Sequence, residues 1–328
     1  MTVKSRLLEI LEKEKGETLS GEKLAEELHC TRAAIWKAVK SLREEGYMIE
    51  AGPNKGYMLV KANDRLSVEA IRPFLSFPEV YIKVYQEVDS TNRAAKAAAI
   101  TGEAGHGSFV LAGCQTEGRG RRGRSFYSPQ DAGIYLSVIL EPKGSLQESL
   151  LLTAEAAVAV YRAVKKITGV ELDIKWVNDL YHNGKKVCGI LTEMSMEQGY
   201  IQHIVIGVGI NVRKQEFPEE IRDRAAAIDE QCGFRISRSQ LIADIMEAFE
   251  EDYEIFLRTH DLKGLRASYA ELLVNQDREV CVLDPKGEYR GIARGINDQG
   301  ELLVERPDGT VEEVYAGEVS VRGIYGYV

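Results

Sequence analysis

Residues 115–124 read Gln115-Thr116-Glu117-Gly118-Arg119-Gly120-Arg121-Arg122-Gly123-Arg124, and the residues directly after them decide the fold. Gly118, Gly120 and Gly123 have G-x-G-x-x-G spacing, and Gly118 through Ser125 comes close to a P-loop with Arg124 in the lysine position. Either loop needs a helix directly after the glycines, because the helix N-terminus holds the phosphates. Here Ser125-Phe126-Tyr127-Ser128-Pro129 comes next, and then a strand-like run over 134–140. A dinucleotide-binding fold and a P-loop fold are therefore excluded. A kinase glycine loop does sit between strands, but no His-Arg-Asp or Asp-Phe-Gly motif accompanies this one. What the loop retains is chemistry. Glycines let backbone N–H groups approach a ligand. Arg119, Arg121, Arg122 and Arg124 crowd four like charges into six residues. They repel one another unless solvent or an anion compensates, and guanidinium forks suit phosphate or carboxylate. The loop reads either as an anion site, with Phe126 placed to stack on a base, or as a solvated basic loop.

Downstream, Lys175-Trp176-Val177-Asn178-Asp179 leads into a hairpin over 179–191 with Asn183-Gly184 at its turn, a type I′ signal. A two-residue loop sets Tyr181 opposite Lys186, and alternation puts Lys175, Asp179, Tyr181 and Lys186 on one face. That face reads either as a site for an acyl phosphate and a metal-bound nucleotide, or as a surface ion-pair ladder. Asp89-Ser90-Thr91-Asn92 precedes an alanine-rich helix over 92–100, so its hydroxyls either cap that helix or face a ligand. Gly207-Val208-Gly209-Ile210-Asn211 ends an apolar strand. Its glycines mark either tight packing or close ligand approach, and Asn211 is a candidate ribose or phosphate contact. Cys188 reads as a small packed residue, since no histidine is placed to activate it. His29, His106, His182, His203 and His260 give no triad and no metal spacing.

The flanks differ in character. Helices are expected over 4–15, from a Ser20 cap through Leu28, and over 32–45 up to Gly46. Strands over 47–50 and 57–60 then flank turn chemistry at 51–56. The order is that of a winged helix-turn-helix. Residues 31–43 carry Arg32, Lys37, Lys40 and Arg43 and no acid, a local charge of +4. The third helix thus reads as a DNA recognition helix. Thr31, Arg32, Ala33 and Ala34 face base edges, Lys37 and Lys40 form the basic patch, and Lys55 at the hairpin tip meets phosphate. A protein-contact module is the alternative. Residues 61–65 read as a linker. Beyond about 275, short strands alternate with Pro-Lys-Gly, Gln-Gly and Pro-Asp-Gly turns, which suggests a small β-barrel.

The 328 residues allow two or three domains. A net charge of −9 excludes a uniformly basic nucleic-acid-coating protein but not a local basic patch. Five cysteines without C-x-x-C spacing indicate neither a zinc site nor a disulfide framework, and fit a reducing cytoplasmic compartment. The N-terminus enters a charged amphipathic helix rather than a signal peptide. No apolar run reaches the ~20 residues that span a bilayer, so no membrane is expected.

Taken together, the chain resembles the bifunctional biotin protein ligase/biotin operon repressors. The resemblance rests on Pro53-Asn54-Lys55-Gly56-Tyr57, Ser90-Thr91-Asn92, the glycine-arginine loop and the Lys175–Asp179 motif. Lys186-Val187-Cys188-Gly189-Ile190-Leu191 and the 207–211 strand complete it. Loop and motif at this spacing are specific together, and the match covers essentially the whole chain. The resemblance implies an α+β multidomain protein. Residues 1–64 would be the winged helix, 65–272 a central domain similar to class II aminoacyl-tRNA synthetases, and 273–328 an SH3-like barrel. It implies a biotin site of Ser90, Thr91, Asn92, Gln115, Gly118, Arg119, Gly120, Arg121, Lys186 and Gly189. The implied nucleotide site is Arg121, Arg124, Phe126, Asn178, Asp179, Lys186 and Asn211, with Lys186, Arg121 and Asp179 catalytic.

The implied reaction joins biotin and ATP with Mg²⁺ into biotinyl-5′-AMP, then moves biotin to a lysine of a biotin carboxyl carrier domain. The adenylate would promote a homodimer that binds operator DNA. Asp179 is the best candidate for a Mg²⁺ ligand, but no ligand set is readable. Val177 stands where many such proteins have proline, and Phe126 where some have tryptophan. Glu117 has no evident role. The competing readings are a ligand-sensing repressor without ligase activity and a lipoate ligase.

Overall fold

The computed structural model describes residues 2–52, 56–77, 79–141, 148–197, 200–262, 264–284, 287–315 and 320–323. The chain divides into one unit of Met1–Glu79 with Ser237–Asp244 and a second of Val80–Ile236 with Ile245–Val328.

In the first unit, α1 (Val3–Lys13), α2 (Gly21–Glu27) and α3 (Arg32–Glu44) are followed by β1 (Ile49–Gly52), β2 (Gly56–Leu59) and the short α4 (Val68–Ile71). Each of the first three helices begins at a hydroxyl that accepts from a free backbone N–H of the first turn: Thr2 from Ser5, Ser20 from Glu22 and Lys23, and Thr31 from Ala34. Leu7, Leu11, Leu24, Ile35 and Leu42 are fully buried at helical spacing and form the core with Leu59 of the hairpin. β1 and β2 pair antiparallel, Ile49 with Leu59 and Gly52 with Gly56. The hairpin tip, with Lys55, lies outside the described residues.

The stretch expected as a linker is instead built into this unit. Asn63 is buried; its Oδ1 accepts from the Met48 N–H (3.2 Å) and its Nδ2 donates to Glu12 (3.5 Å). Asp64 accepts from the Arg238 backbone N–H (3.1 Å) and from its Nε (2.7 Å). These polar residues read as linker because composition does not reveal that buried donors await them.

The second unit is built on a seven-stranded mixed sheet in the order β3-β4-β5-β9-β8-β7-β6. The strands are β3 (Ile82–Tyr85), β4 (Ser108–Ala112), β5 (Gly133–Leu140), β6 (Asp173–Lys175), β7 (Asp179–His182), β8 (Lys185–Glu197) and β9 (Tyr200–Asn211). Only β3 and β4 run parallel; the other neighbours are antiparallel. β5 is buried along its whole length, which fits its largely apolar sequence, broken by Ser137. Helices α5 (Thr91–Thr101) and α6 (Glu148–Thr168) pack on the sheet. α7 (Asp229–Cys232), α8 (Arg238–Thr259) and α9 (Arg266–Glu271) come later in the chain.

β3, α4 and α9 escape the sequence reading because four to six residues are too few for a periodic signal. The strand before the hairpin stops at Lys175, and a turn carries Trp176 to Asn178. The Trp176–Val177 peptide is cis.

The C-terminal β unit is a five-stranded antiparallel sheet in the order β13-β12-β11-β10-β14. It comprises β10 (Glu279–Asp284), β11 (Gly287–Ile296), β12 (Leu302–Glu305), β13 (Val311–Val314) and β14 (Ser320–Gly323). Trp176 ties this sheet to the central motif: its indole N–H donates to the Gly300 carbonyl (3.0 Å) and its backbone N–H to Asn275 Oδ1 (3.1 Å). Among the described residues, no helix is long and apolar enough to cross a membrane.

Candidate active site and DNA-reading helix

The glycine-arginine loop is a ribbon rather than a helix cap. Phe126 N–H donates to the Gly118 carbonyl (2.8 Å), Gly120 N–H to the Arg124 carbonyl (2.7 Å) and Gln115 N–H to the Ser128 carbonyl (3.0 Å). A Cβ on Gly118 would stand 2.2 Å from the Phe126 carbonyl oxygen, so only glycine allows the two arms to approach. Arg122 (φ 55°) and Gly123 (φ 73°) turn the tip through the left-handed region. Glu117 now has a role. Arg93 of α5 bonds both Glu117 and Asp89, tying the start of the loop to the start of the helix.

The loop walls a cleft of about 810 Å³, a volume usual for small-molecule sites. One end is polar and uncharged. Gln115 Oε1 accepts from the Thr91 N–H (2.8 Å) and the Thr91 hydroxyl (3.1 Å), and Gln115 Nε2 donates to Ser128 (2.9 Å). Ser90 makes no side-chain cap bond; Gln115 caps α5 across the cleft, and the buried Ser90 lines it. Asn92 is held by Ser137 Oγ (2.7 Å), the Leu191 carbonyl (3.2 Å) and Glu193 Oε2 (2.9 Å).

The strand glycines admit the chain's own side chains. A Cβ on Gly207 would meet Asn92 Oδ1 at 2.2 Å, and one on Gly209 would meet the Phe126 ring at 2.6 Å. Gly189 borders the same ring, so Phe126 packs against two glycines and also lines the cleft.

The other end is cationic. Asn183 (φ 50°) and Gly184 (φ 76°) form the expected turn, and Tyr181 pairs with Lys186. Lys175, Asp179, Tyr181 and Lys186 all face the cleft. Lys186 Nζ donates to Asp179 Oδ1 (2.7 Å), and Lys175, almost wholly buried, lies with Nζ 5.8 Å from the Tyr181 ring centre. Arg121 donates to Asn178 Oδ1 (3.3 Å), whose Nδ2 is anchored on the Ile190 carbonyl (2.8 Å). Burial lowers the guanidinium pKa of Arg121, and the Asp179 charge opposes that. Among the described residues the lining holds seven cationic side chains and one carboxylate, Asp179, which is a strong attraction for polyanions. Gly120, Arg119, Arg124 and Asn211 also line the cleft; Gly118 supports the loop from behind. Cys188 is fully buried, and burial raises its thiol pKa, as befits a packing residue.

In the first unit, α3 buries Ile35, Ala38, Val39 and Leu42 and exposes Arg32, Ala33, Lys37 and Lys40. Ala34 is half-buried, and the Thr31 hydroxyl is occupied as the cap. Trp36, 57% exposed, lies between Arg32 and Lys40 on the outer face, with Lys40 Nζ 5.8 Å from its ring. A tryptophan left in water on a basic helix face fits a surface that meets a partner.

Residues 84–211 match the Biotin/lipoate A/B protein ligase family, residues 3–58 an HTH domain, and residues 277–322 the Biotin protein ligase C terminal domain. Over 324 residues the chain is 36% identical to the Bifunctional ligase/repressor BirA of Bacillus spizizenii, spanning 98% of this chain and 99% of that protein. The chain belongs to the bifunctional biotin ligase/repressor family. Another member, Bifunctional ligase/repressor BirA of Escherichia coli, is 32% identical and spans 98% of each chain. The biotin protein ligase of Aquifex aeolicus, solved in complex with biotin and ATP, superposes with a TM-score of 0.66 at 30% identity, over 74% of this chain and 99% of its own.

Two features of this member escape the sequence. One is Trp36, whose exposure shows only once the helix faces are fixed. The other is the segment with Phe217, Ile221, Arg224 and Ala225, which lines the cleft. It pairs with Lys186, whose N–H donates to the Arg224 carbonyl (2.7 Å) and whose carbonyl accepts from Ala226 (3.0 Å). That segment has no periodicity and no motif to announce it.

Proposed function

We propose that this member of the family activates biotin with ATP, transfers it to a carrier lysine, and represses transcription when loaded with the activated product. The observation that carries the ligase reading is a single cleft with an uncharged hydrogen-bonding end, an aromatic side chain, and a lining of seven cations and one carboxylate among the described residues. That sequence of surfaces fits an acid with a polar uncharged ring, joined through a phosphate to a nucleoside.

Ser90, Thr91, Asn92 and Gln115, with the Gly118–Gly120 backbone at Arg119, take the biotin ring. Arg121, Lys186 and Gly189 take the carboxylate end. A biotin carboxylate oxygen attacks the α-phosphorus of ATP, the bond to the β-phosphate breaks, and pyrophosphate leaves. Charge builds on the α-phosphate, where fixed Arg121 and Lys186 stabilise it without reorganising. Asp179 holds Lys186 in place. Arg124, Phe126, Asn178 and Asn211 hold the nucleotide. A carrier lysine amine then attacks the acyl carbon; an amide forms, AMP departs, and the amine proton passes to solvent. The nucleophile belongs to the partner, so none is needed in this chain.

The lining offers Mg²⁺ only Asp179, already bonded to Lys186, and the described residues contain no group of three metal-binding side chains. Mg²⁺ therefore enters on the ATP phosphates as part of the substrate.

Residues 1–64 act as the DNA-binding domain, 65–272 as the biotin and ATP domain and 273–328 as the C-terminal β domain. Biotinyl-5′-AMP favours a homodimer that presents two recognition helices to operator half-sites, all within the cytoplasm. The test is the mass of a biotin carboxyl carrier domain after incubation with the protein, biotin and MgATP. One biotinyl group on one lysine is expected; an unmodified carrier contradicts the reading.

A further inference from the structure

Glu193 of β8 lies outside the cleft lining, yet its carboxylate joins the loop to the helix behind it. Oε1 accepts from Arg119 Nη1 of the glycine-arginine loop (3.1 Å) and from Lys96 Nζ of α5 (3.3 Å); Oε2 accepts from Asn92 Nδ2 (2.9 Å). The side chain is mostly buried, at 16% exposure. Burial alone would raise its pKa, but the Asn92 hydrogen bond and the Lys96 and Arg119 charges outweigh it and hold the carboxyl below its usual range. Glu193 is thus an ionised anchor at neutral pH. Arg119, at 41% side-chain exposure, reaches away from the cationic end of the cleft to meet it, whereas Arg121 turns inward to Asn178.

We propose that Glu193 is a positioning residue that latches the glycine-arginine loop over the cleft through Arg119, and so sets how long the adenylate stays bound. The inference rests on the ligase reading above. A mixed anhydride must be kept from water until its acceptor arrives, so the loop has to stay down between the two chemical steps. Glu193 touches neither the substrates nor the reacting atoms, and its removal leaves the cations of the site in place.

The test uses the full chain loaded with synthetic biotinyl-5′-AMP, so it does not depend on the protein making that compound. Glu193→Gln should release the adenylate about fivefold faster, the scale set by one half-exposed ion pair. Pyrophosphate formation in the first turnover should stay within about twofold of the parent. Arg119→Gln breaks the same contact from the other side and should give the same acceleration, and the double variant no more. It also covers the case in which Glu193→Gln fails to fold. Release at the parent rate in a folded single variant, or additive effects in the double, overturns the latch. A parent chain that binds the adenylate but forms no pyrophosphate overturns the ligase reading and leaves the latch measurement intact.

Discussion

Lys186 stands where three arguments meet: it faces the cleft, it is oriented by Asp179 at 2.7 Å, and its backbone is clamped by Arg224 and Ala226. A fixed cation aimed at developing charge is worth more than a mobile one, and removing one such group typically costs roughly 100- to 1,000-fold in rate. Lys186→Ala should lower single-turnover pyrophosphate formation by that factor while the fold persists; a rate within tenfold of the parent would remove it from the chemistry. Trp36 is the counterpart in the first unit. It is exposed, so Trp36→Ala should leave the melting temperature within about a degree. It should weaken binding to a DNA fragment carrying the operator at least tenfold, the scale of one good base contact. Unchanged DNA affinity would make Trp36 a bystander. Contacts were legible where chemistry and spacing coincide, as at Lys186, which pairs with Tyr181 and faces the cleft. They were hidden at Gly207 and Gly209, because the side chains that need the space, Asn92 and Phe126, come from distant parts of the chain.

At the scale of elements, the hairpin β7–β8 was readable because Asn183-Gly184 fixes its turn and the turn fixes its register. The loop after Gln115 was readable as not helical, and its ribbon form agrees. Helix α6 holds a feature that its apolar pattern masks. Glu155 is fully buried, and neither carboxylate oxygen has a hydrogen-bond partner. Burial pushes its pKa well above the ordinary 4.5, and the Asp252 charge adds to this. An acid whose folded pKa is raised binds more protons folded than unfolded. Stability is therefore lost as pH rises from about 4.5 toward the folded value. Glu155→Gln removes that loss. Its melting temperature should exceed the parent's by a few degrees at pH 8, since ~1 kcal/mol moves a chain of this size by roughly 2–4 °C. The difference should shrink toward pH 5. A variant less stable than the parent at pH 8 would mean that the carboxylate has a partner in solution.

For the whole molecule, composition and punctuation located a helical start, a mixed α/β middle and a β end. They misread residues 61–65, where Asn63 and Asp64 are internal partners rather than solvated spacers. The cleft's far wall at 217–225 came only with the fold. This cleft joins an acid to a nucleotide, and biotin is the acid. Pyrophosphate–ATP exchange tests this most directly, with the full chain, Mg²⁺ and biotin, lipoate or octanoate in parallel. Exchange is expected with biotin, and none above background with the other two. Exchange with lipoate instead would reassign the substrate, and no exchange with any acid would contradict the claim and leave a ligand-sensing DNA-binding protein.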